Sequence, residues 1–264
     1  MNRIKKYFLL DNEKDKISKN INLFNIILVF LLFGGVLYFS FSRLDYTYRW
    51  KDTIIAYREK FWIGFWMTVN ISFFSLIASV TVGTITAFFT KSKILFLRYM
   101  SKFYIEIIRG TPLIVQIYIF FYVIGTAVDI ENRYVMGILI MSLFSGAYVS
   151  EIVRAGIESI DKSQYETAKA LGLNKIQLYR YIVIPQLMKR IMPPLAGQFA
   201  SLIKDSSLLS IIAVNEFTKN VQEVDSLTFA PIENYLVLAL GYIILTYPIS
   251  YFSKRLERKF AYES

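Results

Sequence analysis

Lys204 and Asp205 stand side by side in a run, Ile191 to Asn215, that carries no other charge. Ionisable groups deep in an apolar segment are costly, and face a wet cavity or one another. Neighbours on a helix point about 100° apart, so these two do not pair face to face. At least one is expected to look into a polar path, unless both sit solvated at the outer membrane boundary. A cation beside an anion suits a ligand that carries both charges, such as an amino acid. Asn70 lies ten residues into another uncharged run, flanked by Thr68 and Ser72. Thr68 and Ser72, four apart, share a helix face. Asn70 is placed to bond either a substrate or a neighbouring helix. Ser145, Gly146 and Ala147 are small, which suits close packing or a backbone-lined cavity. Glu151 and Arg154 have the i,i+3 spacing of an ion pair at a helix end.

The residues that are absent bound the chemistry. The 264 residues include no Cys and no His, which excludes disulfides, Cys/His zinc sites, cysteine nucleophiles and His-based triads. No G-x-x-x-x-G-K-[ST] phosphate loop occurs, so any ATP used is hydrolysed by another chain. No carboxylates are paired for acid–base work. The chain is expected to hold no metal and no cofactor, and not to be an enzyme. Its net charge of +10 raises nucleic acid as a partner. With 55% hydrophobic residues, the better reading is basic loops that meet anionic lipid heads, and no nucleic acid.

Uncharged runs mark the elements that would position these residues. They are Asn20–Ser42, Phe61–Thr90, Gly110–Val128, Tyr134–Ser150 and Asn234–Ser253, with the interrupted run at Ile191–Asn215 as a sixth. Each is long enough, or nearly so, to cross a hydrocarbon core of about 30 Å. Six spans put both termini on one side. Lys and Arg number six in residues 1–19, five in 91–109, seven in 151–190 and four in 254–264. The other face has one in 129–133 and two in 204–233, so the positive-inside rule places both termini and the 151–190 loop in the cytoplasm. The segment 43–60, with five basic and three acidic residues, has no account in this pattern. The first span reads as a signal anchor, being too long for a cleaved signal peptide and lacking a small-x-small site.

The most carefully punctuated stretch is Asp161–Pro185. Ser163 and Glu166 have capping-box spacing, which predicts a helix from Gln164. Gly172 suits the left-handed position that ends it, with Leu173 covering the last turn. Asn174 and Gln177 repeat the cap spacing for a second helix, which Pro185 is expected to close. Ala168, Ala170 and Gly172 keep one side of the first helix slim enough for another surface to approach.

This stretch resembles the EAA loop of bacterial ABC importer permeases. The family pattern is E-A-A, three residues, G, nine residues, then I-x-L-P. Glu166, Thr167, Ala168, Gly172, Ile182 and Pro185 keep its spacing, with Thr167 for the second alanine and Ile184 for leucine. YIEIIRGTPLIVQ (104–116), SGAYVSEIVRAGI (145–157) and IKDSSLLSIIAVNEF (203–217) look like the branch that moves polar amino acids such as histidine, glutamate, glutamine, arginine and cystine. Gly110 and Pro112 let a helix enter the membrane with a bend, and Arg109 at the boundary is either a lipid anchor or a gating residue.

The resemblance implies an all-α polytopic fold of about six transmembrane helices. One N-terminal helix and a connecting segment (1–60) would precede a five-helix core (61–256), followed by a cytoplasmic tail (257–264). It also implies a second permease, two ATPase subunits that bind ATP and Mg, and an extracytoplasmic solute-binding protein, in the bacterial cytoplasmic membrane. The EAA residues would couple to the ATPase. Asp205, with Lys204, Asn70, Thr68 and Ser145, would line the path of a polar amino acid, moved by alternating access. Another small zwitterion or osmolyte is the alternative cargo. A stand-alone channel or secondary transporter should show inverted repeats, and none is visible.

Overall fold

Backbone polar groups in a bilayer must be satisfied within the protein, so long uncharged runs are expected as helices. The computed structural model describes residues 18–261, and no strand occurs among them. Residues 1–17 of the expected basic head and 262–264 of the expected tail lie outside the described residues. The helices are α1 (Lys19–Ser42), α2 (Arg58–Phe89), α3 (Leu95–Gly110), α4 (Leu113–Tyr118) and α5 (Arg133–Glu158), then α6 (Lys162–Ala170), α7 (Lys175–Leu178), α8 (Ile184–Asp205), α9 (Phe217–Thr228) and α10 (Pro231–Ala261). α1, α2, α5 and α10 are each long and apolar enough to cross a membrane. α3 and the segment Leu113–Gly125, which meet at 114°, make a fifth span if taken together. The expected sixth span is α8 followed by a 3-10 stretch, Ser206–Ile212, and it carries Lys189, Arg190, Lys204 and Asp205.

The chain forms two units that divide between Tyr48 and Arg49. The first contains α1, whose sequence from Asn20 to Ser42 has no charged residue. The second holds the other helices. Its start at Arg49 precedes the expected core start at Phe61, because the segment that defied the charge pattern is packed there. Thr53, in a π-helical turn at Lys51–Ile55, is fully buried and donates to the Arg49 carbonyl. The Arg49 amide donates to Glu233 at the start of α10 (2.5 Å). Tyr57 packs on a cluster of Phe61, Phe217, Val221 and Val224.

α2 and α5 are the central pair. Helices in lipid gain little from hydrophobic burial against one another, so they associate through small residues that admit close packing. The buried face of α2 includes Ser72, Ser75, Ser79 and Gly83, and that of α5 includes Ser142, Ser145, Gly146 and Ala147. At the crossing, a Cβ on Gly83 would lie 2.6 Å from Val149 and 2.7 Å from the Gly146 carbonyl oxygen, so only glycine fits. Ile71, Met141, Phe144 and Leu202 belong to the apolar cluster that joins α2, α5 and α8. The bend expected at Gly110 and Pro112 is present. Buried Gln116 reaches back across it and donates to the carbonyls of Ile108 (2.7 Å) and Thr111 (3.1 Å), which the bend leaves without helical donors.

Candidate functional site

The loop 161–185 builds its first helix differently from the cap spacing. α6 starts at Lys162 with Asp161 as an extended N-cap, two residues early. Ser163 then lies within the first turn, where a helical backbone prevents it from capping. The end of α6 is as expected. Gly172 has φ +74°, and the Leu173 and Gly172 amides donate to the carbonyls of Ala168 and Lys169, the paired bonds of a Schellman motif. Asn174 and Gln177 form the expected reciprocal capping box. Pro185 does not close a helix. A π-helical turn, Tyr179–Val183, joins α7 to α8, and Pro185 falls in the first turn of α8, where its missing N–H costs little.

The slim side of α6 is divided. Ala168 packs inward on Ile160, Leu178 and Val183, while Glu166, Thr167, Ala170 and Gly172 are exposed. Ile182 is half-buried and Pro185 exposed. Sequence reasoning overlooked the apolar residues on either side of Gly172. Leu171 and Ile176 are 72% and 78% exposed, which makes the tip of the loop an apolar knob and not only a narrow helix. Their isolation in a polar loop was the available signal.

The five residues expected on a substrate path are not joined to one another by any hydrogen bond among the described residues. Thr68 is fully buried and committed elsewhere: its hydroxyl accepts from the Phe217 amide (3.0 Å) and faces Glu216 Oε2 (3.4 Å). Asn70 is exposed and donates to its own helix at Trp66. Ser145 is fully buried and accepts from Gln198 Nε2 (3.3 Å). Lys204 is exposed and Asp205 half-buried where α8 gives way to the 3-10 stretch, and they form no ion pair with each other.

Two polar constructions lie at opposite ends of the helices. At the end that carries the 161–185 loop, Arg154 forks onto Glu151 (3.0 and 2.9 Å) and also reaches Glu158 (2.6 Å). Arg109 joins the same Glu151 (3.1 Å) and lies over the Tyr148 ring, and Lys91 joins Glu158 (3.1 Å). Arg109 is thus tied to α5. The expected Glu151–Arg154 pair is one link of a chain across α5, α3 and the turn that follows α2. Beside it a cavity of about 1220 Å³ opens between α5 and α8. At the other end, Glu216 is fully buried at the N-terminus of α9. It accepts from the amides of Thr218 (2.8 Å) and Lys219 (2.7 Å) and from the Tyr242 hydroxyl (3.0 Å). Glu216 was not singled out as a site residue. Its place between Asn215 and Phe217, just before the polar run Thr218–Asn220, gives no hint of burial.

The sequence pattern of one family, described as the binding-protein-dependent transport system inner membrane component, matches residues 79–262. A probable glutamine ABC transporter permease protein of Bacillus subtilis is 35% identical over 218 residues, covering 78% of this chain and 98% of the relative. A glutamine transport system permease protein of Escherichia coli is 32% identical over 195 residues, covering 73% and 89%. Among solved structures, an amino acid ABC transporter described as crystallised with histidines is similar with a TM-score of 0.73 and 31% identity. It covers 81% of this chain and all of the other. A methionine ABC transporter in an inward-facing conformation shares the fold at 16% identity, with a TM-score of 0.62.

Proposed function

We infer that this chain, which belongs to the family of binding-protein-dependent transport system inner membrane components, is the permease subunit of an ATP-driven importer of a polar amino acid. The observation that carries this reading is the likeness to an amino acid ABC transporter at 31% identity over the whole of that chain. The glutamine permeases among its relatives make glutamine the first cargo to test. The chain makes no covalent change to its cargo. ATP and Mg are bound by a separate ATPase.

In this reading the chain works beside a second permease, two ATPase subunits and an extracytoplasmic binding protein. The basic loops face the cytoplasm, and residues 161–172 transmit ATPase closure to the helices. Alternating access needs two packings of the same bundle, and the cargo path is exposed to each side in turn. The exposed apolar residues Leu171 and Ile176 support a docking role for the loop, with Glu166, Thr167, Gly172 and Pro185 around them. Asp205 is the residue we assign to the cargo's ammonium group, with Lys204 nearby. The continuous chain 61–256 is the transporting domain in this scheme, joined on its outer side by the segment from Arg49.

The test is Asp205→Asn in the assembled complex in proteoliposomes, with glutamine uptake and binding-protein-dependent ATP hydrolysis measured together. Uptake is expected to fall while assembly and binding-protein affinity stay intact. Unchanged uptake and hydrolysis remove Asp205 from the path. A reporter active only in the cytoplasm checks the orientation: it should be active when fused after Ser264 and silent within 217–230.

A further inference from the structure

We propose that Gln198 is a cargo-path residue, which with Ser145 forms the inner constriction of an exit route between α5 and α8. This deepens the importer reading and rests on it. The cavity at the loop end is walled mainly by α5 and α8, with Arg109 of α3, Gln164 of α6 and Glu257 and Phe260 of α10 at its edges. Tyr148, Glu151 and Ala155 line it from α5; Gln186, Pro194 and Gln198 line it from α8. Gln186, Arg190, Pro194 and Gln198 recur every four residues, with Lys189 and Pro193 beside them, which keeps the lining on one side of that helix. The two faces converge where Gln198 Nε2 donates to Ser145 Oγ (3.3 Å), one turn beyond Tyr148 on α5. Past that point Met141, Phe144 and Leu202 close the gap with apolar side chains.

The chemistry of the converging point fits a zwitterion. One hydrogen bond engages a single N–H of the Gln198 amide, leaving its second N–H and its carbonyl oxygen to serve a passing ligand. An amide both donates to a carboxylate and accepts from an ammonium, and it binds neither as tightly as a fixed charge. Below it, Glu151 and Arg154 of α5 and Arg109 of α3 line the cavity with both signs. A lining of one sign would retain one end of an amino acid. Alternating signs let each end exchange between partners as it moves. The volume of about 1220 Å³ exceeds the ~300–1,000 Å³ of pockets that enclose a ligand, so the cavity is a vestibule and the constriction is the selective point.

The chain contains no cysteine, so a single introduced thiol reports one position. The permease–ATPase–binding protein complex is reconstituted with Gln198→Cys or Ala155→Cys, and an impermeant thiol reagent is added from the loop side, with and without L-glutamine. Both thiols are expected to react, and glutamine is expected to slow reaction at 198 more than at 155. In parallel, Gln198→Leu is expected to lower glutamine uptake per ATP hydrolysed about tenfold, as expected from losing one hydrogen bond to the moving cargo. Gln198→Asn should recover part of that loss. Assembly is followed by co-purification. Wild-type uptake of glutamine tests the importer reading separately. Given that uptake, an unchanged uptake-to-hydrolysis ratio in Gln198→Leu overturns the inference. So does a thiol at 198 that does not react from the loop side, whether or not glutamine is the cargo and whether or not the leucine variant assembles.

Discussion

At one end of the helices a single carboxylate, Glu216, is held by four neutral donors; at the other, five charged side chains hold one another. The first arrangement is buried, and water offers no replacement for any lost bond. The second is open: Lys91, Arg109 and Glu158 are 44–47% exposed, and each link has water as a ready substitute. Ion pairs of that exposure are each worth roughly 0–1 kcal/mol. An orphaned buried donor costs roughly 1–3 kcal/mol. The comparison teaches where the molecule can change its packing cheaply. The Glu216 end ties α9 to α2 and α10 through Thr68 and Tyr242. The loop end can trade partners.

The largest effect should come from breaking the buried end. Glu216→Leu leaves the Thr218 and Lys219 amides without their acceptor, a loss of several kcal/mol at roughly 1–3 kcal/mol per group. The variant should accumulate poorly and unfold at markedly lower temperature in detergent, with Glu216→Gln in between. A leucine variant as stable as the parent would erase the contrast between the ends.

Gly172→Val should act chiefly on function, with a smaller stability loss confined to the loop. Nothing lies within 4 Å of a Cβ built there, but φ is +74°, a region that costs an L side chain roughly 1–2 kcal/mol. The expected result is normal membrane insertion, loss of ATPase co-purification and loss of uptake. Normal transport would show that the loop is not the contact.

Arg109→Gln should have a smaller effect. It removes one link of the exposed chain, so the unfolding temperature should stay near the parent's, in keeping with roughly 0–1 kcal/mol. Uptake and its dependence on salt should change more than stability does. A stability loss as large as that of Glu216→Leu would mean that the chain is structural after all. The smallest effect is expected at Lys60→Met. It breaks a half-buried pair with Glu223 (2.6 Å, 35% and 34% exposed) at the otherwise rigid end, and should lower stability by under about 1 kcal/mol. It separates the effect of position from that of charge.

What the sequence determined by itself was whatever depends on near neighbours in the chain. Uncharged runs gave the long helices, because an isolated apolar segment has no other way to satisfy its backbone. Gly172, the Asn174–Gln177 box and the bend before Pro112 were legible for the same reason: each is settled within a few residues. Where a local signal was weak, the sequence left the outcome open. The helix began at Lys162, ahead of Ser163 and with no side-chain cap bond, and a π turn carried the chain past Pro185. Only the tertiary structure decided which polar residues are spent on the fold. Thr68 and Asn70 look alike in the chain, two apart in one helix, yet one is buried against Glu216 and the other is exposed. Gln198 meets Ser145 across 53 residues, and Arg109 meets Glu151 across 42. Such pairings depend on how two helices cross, and the crossing of α2 and α5 is set by the mutual fit of Gly83, Gly146 and Val149.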